Sequence, residues 1–200
     1  MSRFFDVILA AAALLFLSPL LVFAALAIRI NDNGPIFYMA DRVGKDSNTF
    51  AMYKLRTMSQ RSTNASQITA QNDNRVTSVG RYLRRTKIDE LPQIFNILRG
   101  DMAIVGPRPE SVSIVEDHYT AQMREVLTAV PGLTSPGTIY NENASHLIAQ
   151  DNTELIYATE ILPKRIELDL AYLKTRTWKT DISLIIKTIW KIIRPTRWSS

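Results

Sequence analysis

Residues 4 to 28, FFDVILAAAALLFLSPLLVFAALAI, carry a single charge, Asp6. A run of roughly 20 apolar residues is the length a helix needs to cross the hydrocarbon of a bilayer. Whatever the remainder folds into must therefore accommodate a membrane segment at its start. The run is interrupted at its middle by Ser18-Pro19. Pro19 lacks an N–H and its ring meets the carbonyl of Leu15, so the helix is expected to kink or break there. The Ser18 hydroxyl is placed to satisfy a freed carbonyl that lipid would leave bare. Each half is then about a dozen residues, or roughly 18 Å of helix, short of a core of about 30 Å. Two architectures fit: a kinked spanning helix, and a re-entrant hairpin that enters and leaves on one face. Arg3 and Arg29 flank the run, and under the positive-inside tendency this places both ends at the cytoplasm. A secretory leader cleaved after Ala25-Leu26-Ala27 fits less well. The apolar run is longer than a leader core, and Arg3 is its only basic lead.

The chain has 200 residues, enough for one domain with a core plus a small appendage. Its formal net charge of +5 favours an anionic partner: nucleic acid, an anionic membrane surface or a phosphorylated substrate. With no cysteine, disulfides and thiolate metal sites are excluded. His118 and His146, the only histidines, stand far apart in sequence, which argues against a histidine zinc site.

Beyond the apolar run, residues 36 to 57 read as a β-hairpin, two β-favouring runs around the turn-rich GKDSN. Lys54 and Arg56 alternate with Tyr53 and Leu55, which puts both cations on one face of the second strand. By itself that pattern is a solvated face. Residues 59 to 75 are a polar loop. Residues 76 to 86 form a short helix leading into the basic cluster Arg81, Arg84, Arg85 and Lys87. Leu91, Ile94, Phe95 and Leu98 follow helical spacing, and Gly100 is a suitable stop. Pro92 must lie in the first turn, so this helix is expected to begin near Asp89. Acids at a helix start usually cap free N–H groups, and Asp89-Glu90 alone reads as a cap before it reads as a catalyst. Further helices are expected over 163 to 175, with Pro163 in the first turn, and over 181 to 193, with Asp181 as cap. The last carries an isoleucine stripe with Lys187, Lys191, Trp190, Arg194, Arg197 and Trp198 nearby. It suits either a membrane interface or a core.

Together these parts point to phosphoryl chemistry at a membrane surface. Arg108 is clamped between Pro107 and Pro109, which restricts the backbone and suits a preorganised anion contact. Cations without His or Cys point to a hard, oxygen-rich ligand such as phosphate or Mg²⁺. One carboxylate can attack phosphorus, and a second can hold the metal or tune the first.

The motifs Asp89-Glu90-Leu91-Pro92-Gln93, Leu98-Arg99-Gly100-Asp101-Met102 and Val105-Gly106-Pro107-Arg108-Pro109 resemble the signature of the bacterial sugar transferases. These are the monotopic polyprenol-phosphate phosphoglycosyl transferases. Tyr53-Lys54-Leu55-Arg56-Thr57-Met58, Pro131-Gly132-Leu133-Thr134, Glu167-Leu168-Asp169 with Tyr172, and the apolar run with Ser18-Pro19 are similar too. The resemblance covers nearly the whole chain and corresponds to the minimal form. It implies an α+β, mainly helical fold: a re-entrant membrane helix hairpin over 1–30, then a cytoplasmic catalytic domain over 31–200. A small β-hairpin and amphipathic interfacial helices, the last about 181–193, would surround a compact core. It implies transfer of sugar-1-phosphate from a UDP-sugar to undecaprenyl phosphate, with UMP leaving and a glycan begun. Asp89 would be the nucleophile, and Glu90 would support the metal or a proton relay. Both would bind Mg²⁺, with Mn²⁺ as an alternative. Arg108, Arg56, Arg85, Lys54, Pro107, Pro109 and Asp169 would form the phosphate and substrate site. The partners implied are a UDP-sugar, a polyprenyl phosphate and the bacterial inner membrane, with a homodimer as one permitted assembly.

The family commonly follows Pro-Gly-Leu-Thr with Gly, an aromatic or Leu, then Gln-Val-x-Gly-Arg. Here the chain reads Ser135-Pro136-Gly137-Thr138-Ile139-Tyr140-Asn141-Glu142-Asn143. That departure leaves the reaction intact and bears on the sugar and the base. Two rivals remain. A non-catalytic membrane protein of the same fold would bind lipid phosphate or a partner, against which the intact dyad speaks. A nucleic-acid-binding domain rests on charge alone, since no aromatics interleave with the central cations, and nucleic acid is not an expected partner.

Overall fold

A computed structural model describes residues 2–59, 75–144 and 153–193. Nearly all of the polar loop expected over 59 to 75 lies outside these residues, as do His146, Arg194, Arg197 and Trp198.

The apolar run is one helix, α1 (Arg3–Asn31), which continues through Pro19. Of the kink or break expected at Pro19, the fold shows no break: the run is one helical element. The Leu15 carbonyl opposite Pro19 accepts a hydrogen bond from the Ser18 hydroxyl at 2.9 Å, so the group the proline displaces is satisfied within the turn. One stripe of α1 faces the rest of the protein along its whole length. Asp6, Ala10, Ala24 and Ile28 are buried. Ala10 packs with Ile94, Ile97 and Met102, and Ala24 and Ile28 pack with Leu55 and Leu83. The opposite face, including Phe4, Leu15, Phe16, Phe23 and Ile30, is exposed. Both ends are tied to the same body. Arg3 donates to the Ile97 and Leu98 carbonyls, and Asp32, just past the helix, pairs with Arg56 at 2.9 Å.

The expected hairpin is present as β1 (Phe37–Val43) and β2 (Thr49–Leu55), antiparallel with Phe37 opposite Leu55. Its turn is tight because Asp46 and Ser47 both take positive φ, a conformation asparagine and aspartate tolerate better than most residues. A two-residue strand, β4 (Glu110–Ser111), adds to the far edge of β1. β3 (Ala103–Val105) and β5 (Gly132–Thr134) form a separate parallel pair. α2 (Ser78–Arg85) is capped by Thr77, whose hydroxyl accepts from the Gly80 N–H at 2.9 Å.

The helix expected from Asp89 is divided. A 3₁₀ turn spans Ile88–Glu90, and α3 (Gln93–Arg99) follows after Pro92, closed by Gly100 at φ 103°. Neither acid caps α3, so the capping role falls away. Asn96, wholly buried, holds α3 to β2: its side chain accepts from the Tyr53 N–H at 3.0 Å and donates to the Ala51 carbonyl at 2.8 Å.

The second half is helical. α4 (Val112–His118), α5 (Ala121–Arg124) and α6 (Pro136–Ala144) surround α8 (Leu162–Thr175), which carries Pro163 in its first turn as expected. α8 prolongs α7 (Thr153–Ile156) through a π segment, Tyr157–Ile161. The main core joins α4, α8 and the π segment through Ile114, Val115, Ile161, Leu162 and Ile166.

The last helix, α9 (Trp178–Ile193), begins a turn before Asp181. The cap is Thr177, whose hydroxyl accepts from the Thr180 N–H at 3.2 Å. Asp181 is instead wholly buried, accepting from the Tyr172 hydroxyl and from Arg176. α9 packs inward through Asp181 and Leu184 and exposes Ile182, Ile186, Ile189 and Trp190. It is thus packed on one side and apolar on the other.

Candidate active site

The 3₁₀ turn and the Gly-Pro-Arg-Pro loop bring the dyad and Arg108 together. Lys87, immediately before the turn, has φ 59°, a left-handed conformation that costs a non-glycine residue energy. It redirects the chain after α2 so that Asp89 turns inward, where it is 7% exposed. Glu90 binds two cations through one oxygen: Lys54 Nζ at 2.9 Å and Arg108 Nη2 at 3.3 Å. Lys54, read from sequence as one of two cations on a strand face, is therefore at the centre of the site.

The two carboxyls are pushed in opposite directions. Burial raises Asp89, and the Glu90 charge adds to it, against Lys54, Lys87 and Arg84. Burial would raise Glu90 as well, but Lys54, Arg108 and Lys87 outweigh it and hold this carboxyl well below the usual range. Burial likewise lowers the Lys54 ammonium against the pull of Glu90. The result is a Glu90 whose ionised form is favoured by two cations, beside an Asp89 of raised basicity. Asp89 Oδ1 is buried and makes no hydrogen bond among the described residues. An enclosed carboxylate oxygen without a protein partner is available to a reacting phosphorus or a metal.

The Arg108 loop is held from behind. The Gly132 N–H donates to the Pro107 carbonyl at 2.9 Å, and the Gly106 N–H donates to the Thr134 carbonyl at 3.0 Å. The chains approach so closely that a Cβ on Gly132 would lie 2.2 Å from the Gly106 nitrogen. This is why Pro131-Gly132-Leu133-Thr134 accompanies the Gly-Pro-Arg-Pro loop. Pro107 and Pro109 are buried and shape the loop from within.

Three residues expected at the phosphate site are engaged with other partners or exposed in this fold. Arg56 lies just beyond the end of β2, where the strand's alternation no longer applies. It is 8% exposed, and its guanidinium is taken by Asp32, 2.9 Å from the carboxylate. Arg85 is exposed at the end of α2, and its neighbour Arg84 is the one whose charge acts on Asp89. Arg84 is oriented by a 2.8 Å hydrogen bond from Nε to the Thr57 hydroxyl. Asp169 is 1% exposed and accepts from the Gly137 N–H at 2.8 Å. Burial raises its carboxyl, opposed by Arg165, Gly137, Ser135 and the backbone of Arg108. It therefore lies inside the domain, anchoring the start of α6.

The sequence reading passed over a buried cluster next to that loop. Glu110 accepts from Arg165 at 2.7 Å and lies 3.5 Å from Arg42, while Arg165 also donates to Tyr157 at 2.8 Å and Tyr119 at 3.2 Å. Burial would raise Glu110, but Arg165 and Arg42 hold it low. Nothing in the local pattern marks Arg165, because its partners come from three separate segments.

The residues fit a magnesium ion only in part. Among the described residues no group of three or more His, Cys, Asp or Glu side chains converges on one point. Mg²⁺ is, however, commonly held by one or two carboxylates with substrate phosphates completing its shell. The partnerless Asp89 Oδ1 next to Glu90 suits that mode.

A sequence profile of the family described as "Bacterial sugar transferase" matches residues 1–195. The chain is 37% identical over 191 residues to a Caulobacter vibrioides protein named UDP-glucose:undecaprenyl-phosphate glucose-1-phosphate transferase, covering 94% of this chain and 67% of that one. It is 33% identical to an Aeromonas hydrophila protein named UDP-N-acetylgalactosamine-undecaprenyl-phosphate N-acetylgalactosaminephosphotransferase, covering 96% of this chain but 43% of the relative. It is also 34% identical to the Exopolysaccharide production protein ExoY of Sinorhizobium fredii, covering 94% and 83%. The chain thus spans two thirds of the Caulobacter protein and less than half of the Aeromonas one. With a profile match over almost all of its length, and with the dyad and the Arg108 loop assembled into one site, the chain belongs to the bacterial sugar transferase family.

Proposed function

We propose that this chain transfers sugar-1-phosphate from a UDP-sugar to undecaprenyl phosphate at the cytoplasmic face of the bacterial inner membrane, through a covalent intermediate on Asp89. The observation that carries this reading is the split dyad: a buried carboxylate of raised basicity with a partnerless oxygen, beside a carboxylate that two cations keep charged.

In the first step an Asp89 oxygen attacks the sugar-linked phosphorus. The Asp89–phosphorus bond forms, the bond to the bridging oxygen breaks, and UMP leaves with that oxygen. In the second step an oxygen of the lipid phosphate attacks the same phosphorus. The bond to Asp89 breaks, restoring the carboxylate and yielding a polyprenyl diphosphosugar. Arg108, Arg84 and Lys54 supply fixed positive charge around the transferring phosphoryl group, where charge stabilisation is most of what a protein can contribute. Asp89 and Glu90 would hold Mg²⁺, which when bound neutralises charge on the donor diphosphate.

The membrane reading of α1 is part of this proposal. Both ends of α1 contact the same domain, through Arg3 and through Asp32 just past the helix, and this supports a helix that enters and leaves on one face over one that spans. α1 enters the lipid through its exposed apolar face and returns, bending at Ser18-Pro19. The exposed isoleucines of α9 rest on the same interface.

The test is UMP release from a panel of UDP-sugars with undecaprenyl phosphate and Mg²⁺, for the native chain and Asp89→Asn. Release with one sugar, abolished in the variant, supports the reading and identifies the sugar. Equal release from Asp89→Asn would remove Asp89 as the nucleophile. Absence of release from every UDP-sugar would favour the non-catalytic alternative.

A further inference from the structure

The segment that departs from the family pattern folds as α6 (Pro136–Ala144), and its last turn reaches Lys87, two residues before Asp89. Glu142 Oε1 lies 3.0 Å from Lys87 Nζ, and Glu142 Oε2 lies 3.1 Å from Lys191 Nζ on α9. Lys191 also donates to the Ile139 carbonyl at 3.1 Å and to Asn143 Oδ1 at 2.8 Å. Glu142 is therefore fixed from behind by a lysine that is itself held by two further groups. At its other end α6 is anchored by Asp169 through the Gly137 N–H, where a Cβ would fall 2.5 Å from Asp169 Oδ2. Both ends of this short helix are thus immobilised.

Lys87 is the residue so presented. Its side chain is 40% exposed, its backbone is in the left-handed region, and its charge acts on both Asp89 and Glu90. An ammonium has three donors. Glu142 engages one, and the solvent-facing remainder is open to an anion standing over the dyad. A positive-φ lysine two residues from the proposed nucleophile is a costly arrangement, and such strain gathers at functional sites.

We propose that Lys87 is a contact to the donor diphosphate and that Glu142, braced by Lys191, is the residue that positions it. This rests on the donor reading given above. It assigns the divergent segment a role in gripping the donor, through its last turn.

The test uses the full-length chain in detergent. Donor KM and kcat are measured by UMP release, and UDP affinity by isothermal titration, for Lys87→Met, Glu142→Gln, Glu142→Asp and the double variant Lys87→Met/Glu142→Gln. Loss of one charge-assisted hydrogen bond to phosphate corresponds to about a tenfold loss of affinity. Lys87→Met is expected to raise KM and the UDP Kd by about that factor. Glu142→Gln is expected to raise both by about threefold to fivefold, Glu142→Asp to recover most of the loss, and Glu142→Gln to add nothing in the Lys87→Met background. A native chain that binds UDP, with Lys87→Met binding it equally well, overturns this inference and leaves the transferase reading standing. An undiminished Glu142→Gln effect in the Lys87→Met background overturns the positioning role. A native chain that neither binds UDP nor releases UMP overturns both readings together.

Discussion

Replacing Arg165 by methionine should cost the protein more than any substitution in the dyad. Arg165 is 1% exposed and donates to Glu110, Tyr157 and Tyr119 at 2.7, 2.8 and 3.2 Å. Methionine keeps most of the apolar stem and removes the charge, so the loss is electrostatic more than volumetric. Glu110 would then depend on Arg42, 3.5 Å away, and on the Tyr157 hydroxyl. Breaking a buried pair from one side costs about 3–5 kcal/mol, because the surviving charge is left uncompensated. For a chain of this size each kcal/mol moves the melting temperature by roughly 2–4 °C, so a fall of roughly 6–20 °C is expected at neutral pH. The deficit should depend on pH. In the native protein Glu110 is held below its ordinary value of 4.5, so its contribution is present above that value and is lost as pH falls through the lowered one. Without Arg165, burial dominates and raises Glu110, so the variant is penalised at neutral pH and relieved as Glu110 takes up a proton. The gap between the two melting curves should therefore narrow as pH is taken from 7 towards and below 4.5. Thermal melts in detergent at several pH values measure this, with Glu110→Gln/Arg165→Met as the partner experiment, expected to melt above the single variant. A shift under about 3 °C, a gap that stays constant with pH, or a double variant no better than the single one would each refute the argument.

Lys54→Met should move the acidic limb of the pH–rate profile upward, since Lys54 lowers both carboxyls of the dyad; an unmoved limb in kcat/KM would show that the dyad does not govern it. Arg84→Ala should raise donor KM by about tenfold and Arg85→Ala by less than about twofold, the reverse of what exposure to solvent suggests; steady-state kinetics at fixed lipid decide it. Asp6→Ala removes the acceptor that binds the Ile104 N–H at 3.2 Å and leaves that part-buried donor without it. A loss of about 1–3 kcal/mol is expected, seen as a lower melting temperature, with Asp6→Asn milder. Chelation of divalent cations should abolish UMP release, with recovery on adding Mg²⁺ or Mn²⁺; full activity after chelation would remove the metal from the scheme.

What was legible in the sequence was what depends on local pattern. The hairpin followed from the β-favouring runs around GKDSN and the end of α3 from Gly100, while the spacing of Leu91, Ile94, Phe95 and Leu98 marked a helix but not its buried face, which is Gln93, Ile94, Asn96 and Ile97 with Phe95 exposed. The dyad and the Arg108 loop were legible through resemblance to a family signature. What failed depended on where an element stops or on what lies across the fold. Arg56 was paired with Lys54 by alternation, but β2 ends at Leu55 and the next side chain turns to Asp32. Asp181 looked like a cap because an acid precedes the isoleucine stripe, yet Thr177 starts the helix earlier and Asp181 is drawn inside by Tyr172 and Arg176. β3 and β5 have three residues each and pair in parallel across 26 intervening positions, too short and too distant for any periodicity to show. Lys87 stood in a visible basic cluster, but its partner Glu142 is remote in sequence and only the fold brings them together.

The stripe that α1 lays against the domain has a consequence for dissection of the protein. Ala10 and Ala24 let the helix sit close, and beneath them lie Ile94, Ile97, Met102, Leu55 and Leu83, all nearly inaccessible. Removing residues 3–31 would strip the roof from that floor, free the α3 carbonyls that Arg3 caps and leave Arg56 without Asp32's carboxylate held in place. The shortened polypeptide would then be an unfinished globule, prone to self-association through the uncovered floor, and no detachable soluble enzyme is hidden inside it. Under the proposed membrane reading, attachment and completion of the hydrophobic core fall to one and the same piece of polypeptide.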